Sequence, residues 1–254
     1  MSILDEICEH KRREVEERQH RVPLGEIERL ASRAEPPRPF QPGRDVALIA
    51  EVKRRSPSKG DFVSALDPVE QALAYERGGA DAISVLTDDR FFGGSLDDLD
   101  AVRRAVRVPV LCKDFILTEY QAYEARSRGA DLLLLIVAAM NDRPLIAIHA
   151  CVLELGMTPL VEVHDQHDLA RALALGAGVI GINNRDLSDF SVDVLTTEYL
   201  APLIPDDVIA ISESGIATRE DVERVVRAGA RGVLVGEALM RSGDPAQTVR
   251  ELVG

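Results

Sequence analysis

Val46-Ala47-Leu48-Ile49-Ala50-Glu51-Val52-Lys53-Arg54-Arg55-Ser56-Pro57-Ser58 is an apolar run that ends in an acid and a base. Side chains of a β-strand alternate between faces, so Glu51 and Lys53 share one face and Val52 takes the other. A strand that finishes in such a pair and passes into a Ser-Pro loop has the form of the rim of a catalytic barrel. A surface ion pair at a strand end is the plain alternative for this segment taken alone.

Working outward, apolar runs of strand length stand at 46–50, 82–86, 108–112, 132–136, 159–163, 179–182, 208–211 and 232–235. Amphipathic helical stretches separate them, among them 68–77, 97–105, 119–128, 167–175 and 219–227. Short apolar strands alternating with helices predict a parallel sheet buried on both faces. Gly-Ala pairs recur at Gly79, Gly129, Gly176 and Gly229, each between a helical stretch and an apolar run. Glycine is the residue expected just past a helix C-terminus. The pairs are spaced by about two βα units, and four such units make eight strands. The predicted fold class is therefore α/β, a (β/α)8 TIM barrel. A doubly wound open sheet would use about six strands and would leave the chemistry at the strand ends unexplained.

Residues 1–45 read differently. Ile3, Leu4, Ile7 and Val15 predict an amphipathic helix over 3–18, and Leu24, Ile27, Leu30 and Ala31 a second over 24–34. Pro36, Pro37, Pro39, Pro42 and Gly43 then break the pattern. This stretch is too short for a core of its own. It is expected to pack on the barrel as a helical extension, so that 1–254 form a single domain.

The 254 residues, 46% of them apolar, suit one barrel, a fold that takes about 250 residues. No apolar run approaches the roughly 20 residues that span a bilayer. The start, Met1-Ser2-Ile3-Leu4-Asp5-Glu6, lacks a basic region followed by an apolar one, so no secretion signal is expected. Cys8, Cys112 and Cys151 have neither disulfide-framework nor metal-ligand spacing, which fits a reducing cytoplasm. A net charge of −13 argues against nucleic acid and anionic membranes as partners. An anionic substrate must then be held by a locally positive pocket. Nothing in the sequence calls for a second copy of the chain, and a monomer is the expectation.

In a barrel of this kind the active site lies at the C-terminal ends of the strands. The first run ends in Glu51 and Lys53, the third in Lys113, Asp114 and Phe115, and the fifth in Glu162 and His164. The sixth ends in Asn183, Asn184, Arg185 and Asp186, the seventh in Glu213, Ser214 and Gly215, and the eighth in Gly236 and Glu237. Such density of polar residues at one end of the strands is a functional pattern. Gly215 and Gly236 precede helical stretches after the last two strands, where backbone N–H groups commonly bind phosphate. Lys53 and Lys113 are candidate proton donors, each expected to depress the other's pKa while Glu51, Glu162 and Glu213 hold them in place. The histidines His10, His20, His149 and His167 read as surface or packing residues, and His164 as a neighbour of Glu162. No metal-ligand cluster stands out.

Ile49-Ala50-Glu51-Val52-Lys53-Arg54-Arg55-Ser56-Pro57-Ser58, Phe91-Phe92-Gly93-Gly94-Ser95, Leu111-Cys112-Lys113-Asp114-Phe115-Ile116, Leu160-Val161-Glu162-Val163-His164, Ile182-Asn183-Asn184-Arg185-Asp186-Leu187 and Ser212-Glu213-Ser214-Gly215-Ile216 together resemble indole-3-glycerol phosphate synthase. The resemblance runs along essentially the whole chain, including the N-terminal helices. Asn184 stands where serine is also expected.

The resemblance implies a carboxy-lyase of tryptophan biosynthesis, for which no cofactor is expected. Its substrate would be 1-(2-carboxyphenylamino)-1-deoxyribulose 5-phosphate, closed to indole-3-glycerol phosphate with loss of carbon dioxide and water. By the same resemblance Lys113 is the general acid, Glu162 the catalytic carboxylate, and Lys53 the ligand of the substrate carboxylate and a second proton donor. Glu51 and Asn183 orient substrate and lysine, and Arg185, Glu213 and Ser214 complete the shell. Phosphate would sit on Ser56, Gly215, Gly236 and Glu237. Phe92, Phe115 and Leu134 suit an apolar wall for the aromatic ring. The long loop 56–67, with Gly60, is expected to close over the site. A phosphoribosylanthranilate isomerase, by family resemblance, would carry a cysteine at the end of strand one, where this chain has Glu51-Val52-Lys53. A barrel kept only as a binding or scaffold subunit should have lost one of Glu51, Lys53, Lys113, Glu162 and Asn183, and all are present.

Overall fold

The computed structural model describes residues 3–43, 45–56, 60–61, 66–186 and 191–254, the side chains of Ser56 and Asp61 excepted. Eight parallel strands close into a barrel: β1 (Ala47–Val52), β2 (Ala82–Leu86), β3 (Val110–Lys113), β4 (Leu132–Ile136), β5 (Thr158–Val163), β6 (Val179–Asn183), β7 (Ile209–Glu213) and β8 (Gly232–Val235). Neighbours in sequence are neighbours in the sheet, and β1 pairs with β8 to complete the ring. Two helices precede the barrel, α1 (Ile3–Arg21) and α2 (Leu24–Ala31). Between and after the strands come α3 (Pro68–Gly78), α4 (Asp89–Phe92), α5 (Leu96–Ala105), α6 (Glu119–Ser127), α7 (Asp142–Glu154), α8 (Gln166–Ala174), α9 (Leu195–Leu200), α10 (Arg219–Arg227), α11 (Glu237–Met240) and α12 (Pro245–Val253).

The alternation of strand side chains sorts the core into two parts. Ala47 and Ile49 of β1, Leu111 of β3, Leu132 and Leu134 of β4, Leu160 of β5, Ile211 of β7 and Leu234 of β8 form one buried cluster inside the ring. The intervening residues, such as Leu48, Ala50 and Val52, pack in a larger cluster that also takes in the buried faces of the surrounding helices. Inward parity continued to the strand ends reaches Glu51, Lys113, Glu162, Asn183 and Glu213. The apolar repeat that fills the barrel thus also aims the polar groups at its mouth.

Local signals set the element ends. Asp67 caps α3 by accepting from the backbone N–H of Val69 and Glu70, with Pro68 as the first helical residue. Gly79, Gly129, Gly176 and Gly229 all have positive φ, the left-handed conformation that ends a helix. Helix α1 runs three residues beyond the expected Arg18 and stops at Arg21, two before Pro23. The second helix ends at Ala31 rather than Ala34, ahead of the prolines. Of the expected lid at 56–67, Arg55–Ser56 pairs antiparallel with Gly60–Asp61; residues 57–59 and 62–65 lie outside the described residues, and closure with them. Among the described residues no helix is long and apolar enough to cross a membrane.

The N-terminal helix is anchored by charge. Lys11 of α1 is fully buried, with its ammonium 2.8 Å from Asp88, 2.9 Å from Asp114 and 2.9 Å from Glu14. Asp88 follows β2 and caps α4, and Asp114 follows β3. The anchor therefore joins α1 to two strand ends at the barrel mouth.

Candidate active site

The pocket at the C-terminal ends of the strands is lined by Glu51, Lys53, Phe92, Lys113, Phe115, Leu134, Glu162, Asn183, Arg185, Glu213, Ser214, Gly215, Gly236 and Glu237. Every residue given a catalytic, substrate or phosphate role is brought together here except Ser56, whose side chain lies outside the described residues, while the strand-end residues His164, Asn184 and Asp186 line a neighbouring cleft. Sequence reasoning missed Ile3, Leu4 and Ile7 of α1, which form part of the same wall. Their helical spacing was legible, but the surface they cover was not.

Charge in the pocket alternates. Lys53 Nζ lies 2.5 Å from Glu51 Oε1. Lys113 Nζ lies 2.9 Å from Glu213 Oε2 and 3.4 Å from Glu162 Oε2. One ammonium thus serves two buried carboxylates, and the environment splits their proton affinities. Burial pushes Glu213 up, and the neighbouring Glu162 adds to this beyond what Lys113 returns, so that it titrates at about 7. Burial also opposes the Glu162 anion, but Lys113, His164 and Asn183 outweigh it and bring its pKa down to about 2. Two carboxylates pushed apart in this way give one group that holds a proton near neutrality and one that stays ionised.

Lys113 corrects an expectation. The two lysines were expected to depress one another, yet the Lys113 pKa is raised. Burial lowers it, but Glu213, Glu162 and Glu51 outweigh that penalty. Its ammonium is a full cation in the resting site, suited to protonating a strongly basic oxygen.

Neighbouring hydrogen bonds fix the remaining groups. Asn183 Oδ1 accepts from the Arg185 backbone N–H at 3.0 Å and from Ser214 Oγ at 2.9 Å, which turns its amide N–H toward Glu162. Ser214 has φ 67° and Gly215 φ 80°, so two successive residues are left-handed where β7 meets its loop. For a non-glycine residue this is a strained conformation of the kind found at functional sites. Asn184, the departure from the family pattern, is buried. It donates to Ser212 Oγ and the Ser214 carbonyl and accepts from Thr197, tying β6, β7 and α9 together.

Asp165, His167 and Asp168 approach one another closely enough to suggest a metal. Their carboxylates have local work: Asp165 caps α8, and Asp168 pairs with His164 and Arg171.

Two glycines make room for the carboxylates. A Cβ built on Gly181 of β6 would run into Glu213 Oε1, and one on Gly236 into Glu51 Oε1. Gly181→Ala is therefore expected to displace Glu213 and weaken its hold on Lys113. A misplacement of this order costs roughly a hundredfold in rate. Because the clash falls on the end of a flexible side chain, Tm should change little. Kinetics and calorimetry on the variant check this, and unchanged kcat/KM would contradict it.

A closed parallel barrel with a shielded ammonium between carboxylates at its mouth has the form of an enzyme site for a small molecule. Comparison with known proteins narrows the class. The family model for indole-3-glycerol phosphate synthase matches residues 4–252. A protein of that name from a Nocardioides species is 51% identical over 257 residues, covering 100% of this chain and 99% of the relative. Another, from Streptomyces griseus, is 48% identical over 256 residues, covering 100% and 95%. Among solved structures, thiamine phosphate pyrophosphorylase from Pyrococcus furiosus matches with TM-score 0.62 at 17% identity, over 82% of this chain and 94% of that one. That likeness concerns the fold alone. The chain belongs to the indole-3-glycerol phosphate synthase family.

Proposed function

We propose that this chain converts 1-(2-carboxyphenylamino)-1-deoxyribulose 5-phosphate to indole-3-glycerol phosphate. The observation that carries the proposal is Lys113, held between Glu162 and Glu213 in the pocket of a chain that belongs to this family along its whole length.

The aromatic ring lies against Phe92, Phe115 and Leu134, and its carboxylate pairs with Lys53. The phosphate takes the other end of the pocket, on Ser56 and the backbone of Gly215, Gly236 and Glu237. The ring carbon bearing the carboxylate attacks the sugar carbonyl carbon, and Lys113 gives a proton to the oxygen that becomes a hydroxyl. Loss of carbon dioxide then restores aromaticity and leaves its electron pair in the ring. The hydroxyl departs as water with a proton from Lys53 or Lys113. Glu162 removes the proton whose loss completes the indole, while Glu51, Asn183, Arg185, Glu213 and Ser214 orient the participants. The overall balance is substrate carboxylate plus one proton to product, carbon dioxide and water.

A monomer in the cytoplasm belongs to the same reading, and the three free, buried cysteines suit a reducing compartment. The test is substrate labelled with 13C in its carboxyl group. One labelled carbon dioxide released per indole formed is the expected stoichiometry. An isomerase would release none, and a scaffold would not turn over the substrate.

A further inference from the structure

One titratable side chain without a role so far touches the reacting carboxylate. His164 follows Glu162 by two residues, so both lie on one side of the chain as β5 ends. Its Nε2 is 3.2 Å from Glu162 Oε1 and its Nδ1 is 3.5 Å from Asp168 Oδ2. Both are ion-pair distances once the ring is protonated, without hydrogen-bond alignment, and His164 lines a cleft with Asn183 and Arg185.

Asp168 is itself held in place. Its backbone N–H donates to Asp165 Oδ1, its Oδ2 accepts from the His164 backbone N–H, and its Oδ1 lies 3.7 Å from Arg171. Charge therefore alternates from the outer helix inward: Arg171, Asp168, His164, Glu162, Lys113. Burial disfavours a charged imidazole, but two flanking carboxylates favour it more and raise the His164 pKa to about 10.

We propose that His164, held as an imidazolium between Asp168 and Glu162, is a positioning residue for the catalytic carboxylate. It ties down Glu162 Oε1 and leaves Oε2, the oxygen facing Lys113, for the substrate. The role rests on the synthase reading above. Glu162 is otherwise faced by Lys113 from β3, Asn183 from β6, Glu213 from β7 and Glu51 from β1. His164 is faced by Asp168 and Arg171 of α8, and Asp165, Arg185, Asp186 and Asp193 line the same cleft. Acidic groups outnumber basic ones around the ring, which preserves its charge.

His164→Asn keeps an N–H donor and removes the charge. In this variant kcat at about pH 6 should fall by roughly tenfold or more, part of what a positioned base contributes, with KM within about threefold. In 13C-glutamate-labelled protein the Glu162 carboxyl should titrate about one unit higher in the variant than in the wild type, because an opposite charge within a few ångströms lowers a carboxylate's pKa by about that or more. Asp168→Asn should move it the same way by less. In 15N-histidine-labelled wild-type protein, the ring signal missing from the His164→Asn spectrum should stay doubly protonated up to about pH 8.5, where an unperturbed histidine is neutral. An unmoved Glu162 carboxyl titration, a ring titrating near 6.5, or a loss uniform in pH that follows Tm would each overturn the proposal. Wild-type protein that makes no indole would overturn the synthase reading, and this role with it, whatever the ring titration gives.

Discussion

Lys113→Ala lowers kcat by about a thousandfold or more, because one substitution removes the acid and the cation that holds Glu162 and Glu213 in place. A positioned proton donor contributes about 10²–10⁴. Without the ammonium, Glu162 and Glu213 are two buried carboxylates with no cation between them, and Glu162 no longer titrates near 2. Its pKa rises from there, while His164 and Asn183 still favour the anion, so the larger kinetic loss is that of the acid. The same event weakens the fold, since removing one partner from a buried ion pair costs about 3–5 kcal/mol.

The sign of the pH dependence follows from the direction of each shift. In the wild type the depressed Glu162 pKa contributes stability that is present above the unfolded carboxylate value of about 4.3 and is lost as pH falls through about 2. In the variant that depression is weakened, so the deficit is largest at neutral pH and shrinks as pH falls below about 4. Urea unfolding at about pH 7 and about pH 3.5, beside a carbon dioxide release assay, measures both. A variant within tenfold of wild-type kcat would remove Lys113 from the mechanism.

Lys11→Met is expected to have the largest effect on stability of any single change outside the pocket. It leaves Asp88 and Asp114 buried without their shared cation, at about 3–5 kcal/mol. For a chain of this size each kcal/mol lowers Tm by about 2–4 °C, so a fall of about 10 °C is expected. Lys11 has a raised pKa, so its contribution is fully present below the unfolded lysine value of about 10.4 and disappears only as pH climbs past the folded one. Activity should fall too. Asp88 caps the helix that carries Phe92, and Asp114 accepts from Thr87 Oγ1 and from the Phe115 backbone N–H. Phe92 and Phe115 stand with ring centroids 6.1 Å apart in the pocket wall. A Tm within 2 °C of wild type would mean that α1 is held by its apolar face alone.

The barrel was legible because two periods coexist in the sequence. Apolar runs such as Leu132–Ile136 mark strands buried on both faces, and the Gly-Ala pairs mark where four of the helices stop. The site was legible through parity: Glu51 lies two residues past Ile49, Lys113 two past Leu111 and Glu162 two past Leu160, each on the inward face.

What the sequence hid is set by long-range contact. Lys11 reads as one charge among many on an amphipathic helix, and only the tertiary fold shows that it is buried against Asp88 and Asp114. The direction of the Lys113 shift depends on carboxylates 49 and 100 residues away. The sequence offered Lys53, another strand-end lysine, as a repelling neighbour; in space, Glu213 and Glu162 decide. His164 beside Glu162 was visible, but its second partner, Asp168, comes from the following helix.

The central claim is that the pocket closes an indole ring, and the composition makes its test clean. The chain contains no tryptophan, so indole fluorescence has no protein background. Wild-type protein mixed with 1-(2-carboxyphenylamino)-1-deoxyribulose 5-phosphate should give an indole emission that grows with enzyme concentration and is absent with Lys113→Ala. Substrate that binds without any indole signal would contradict ring closure and leave a barrel that retains the site but not the reaction.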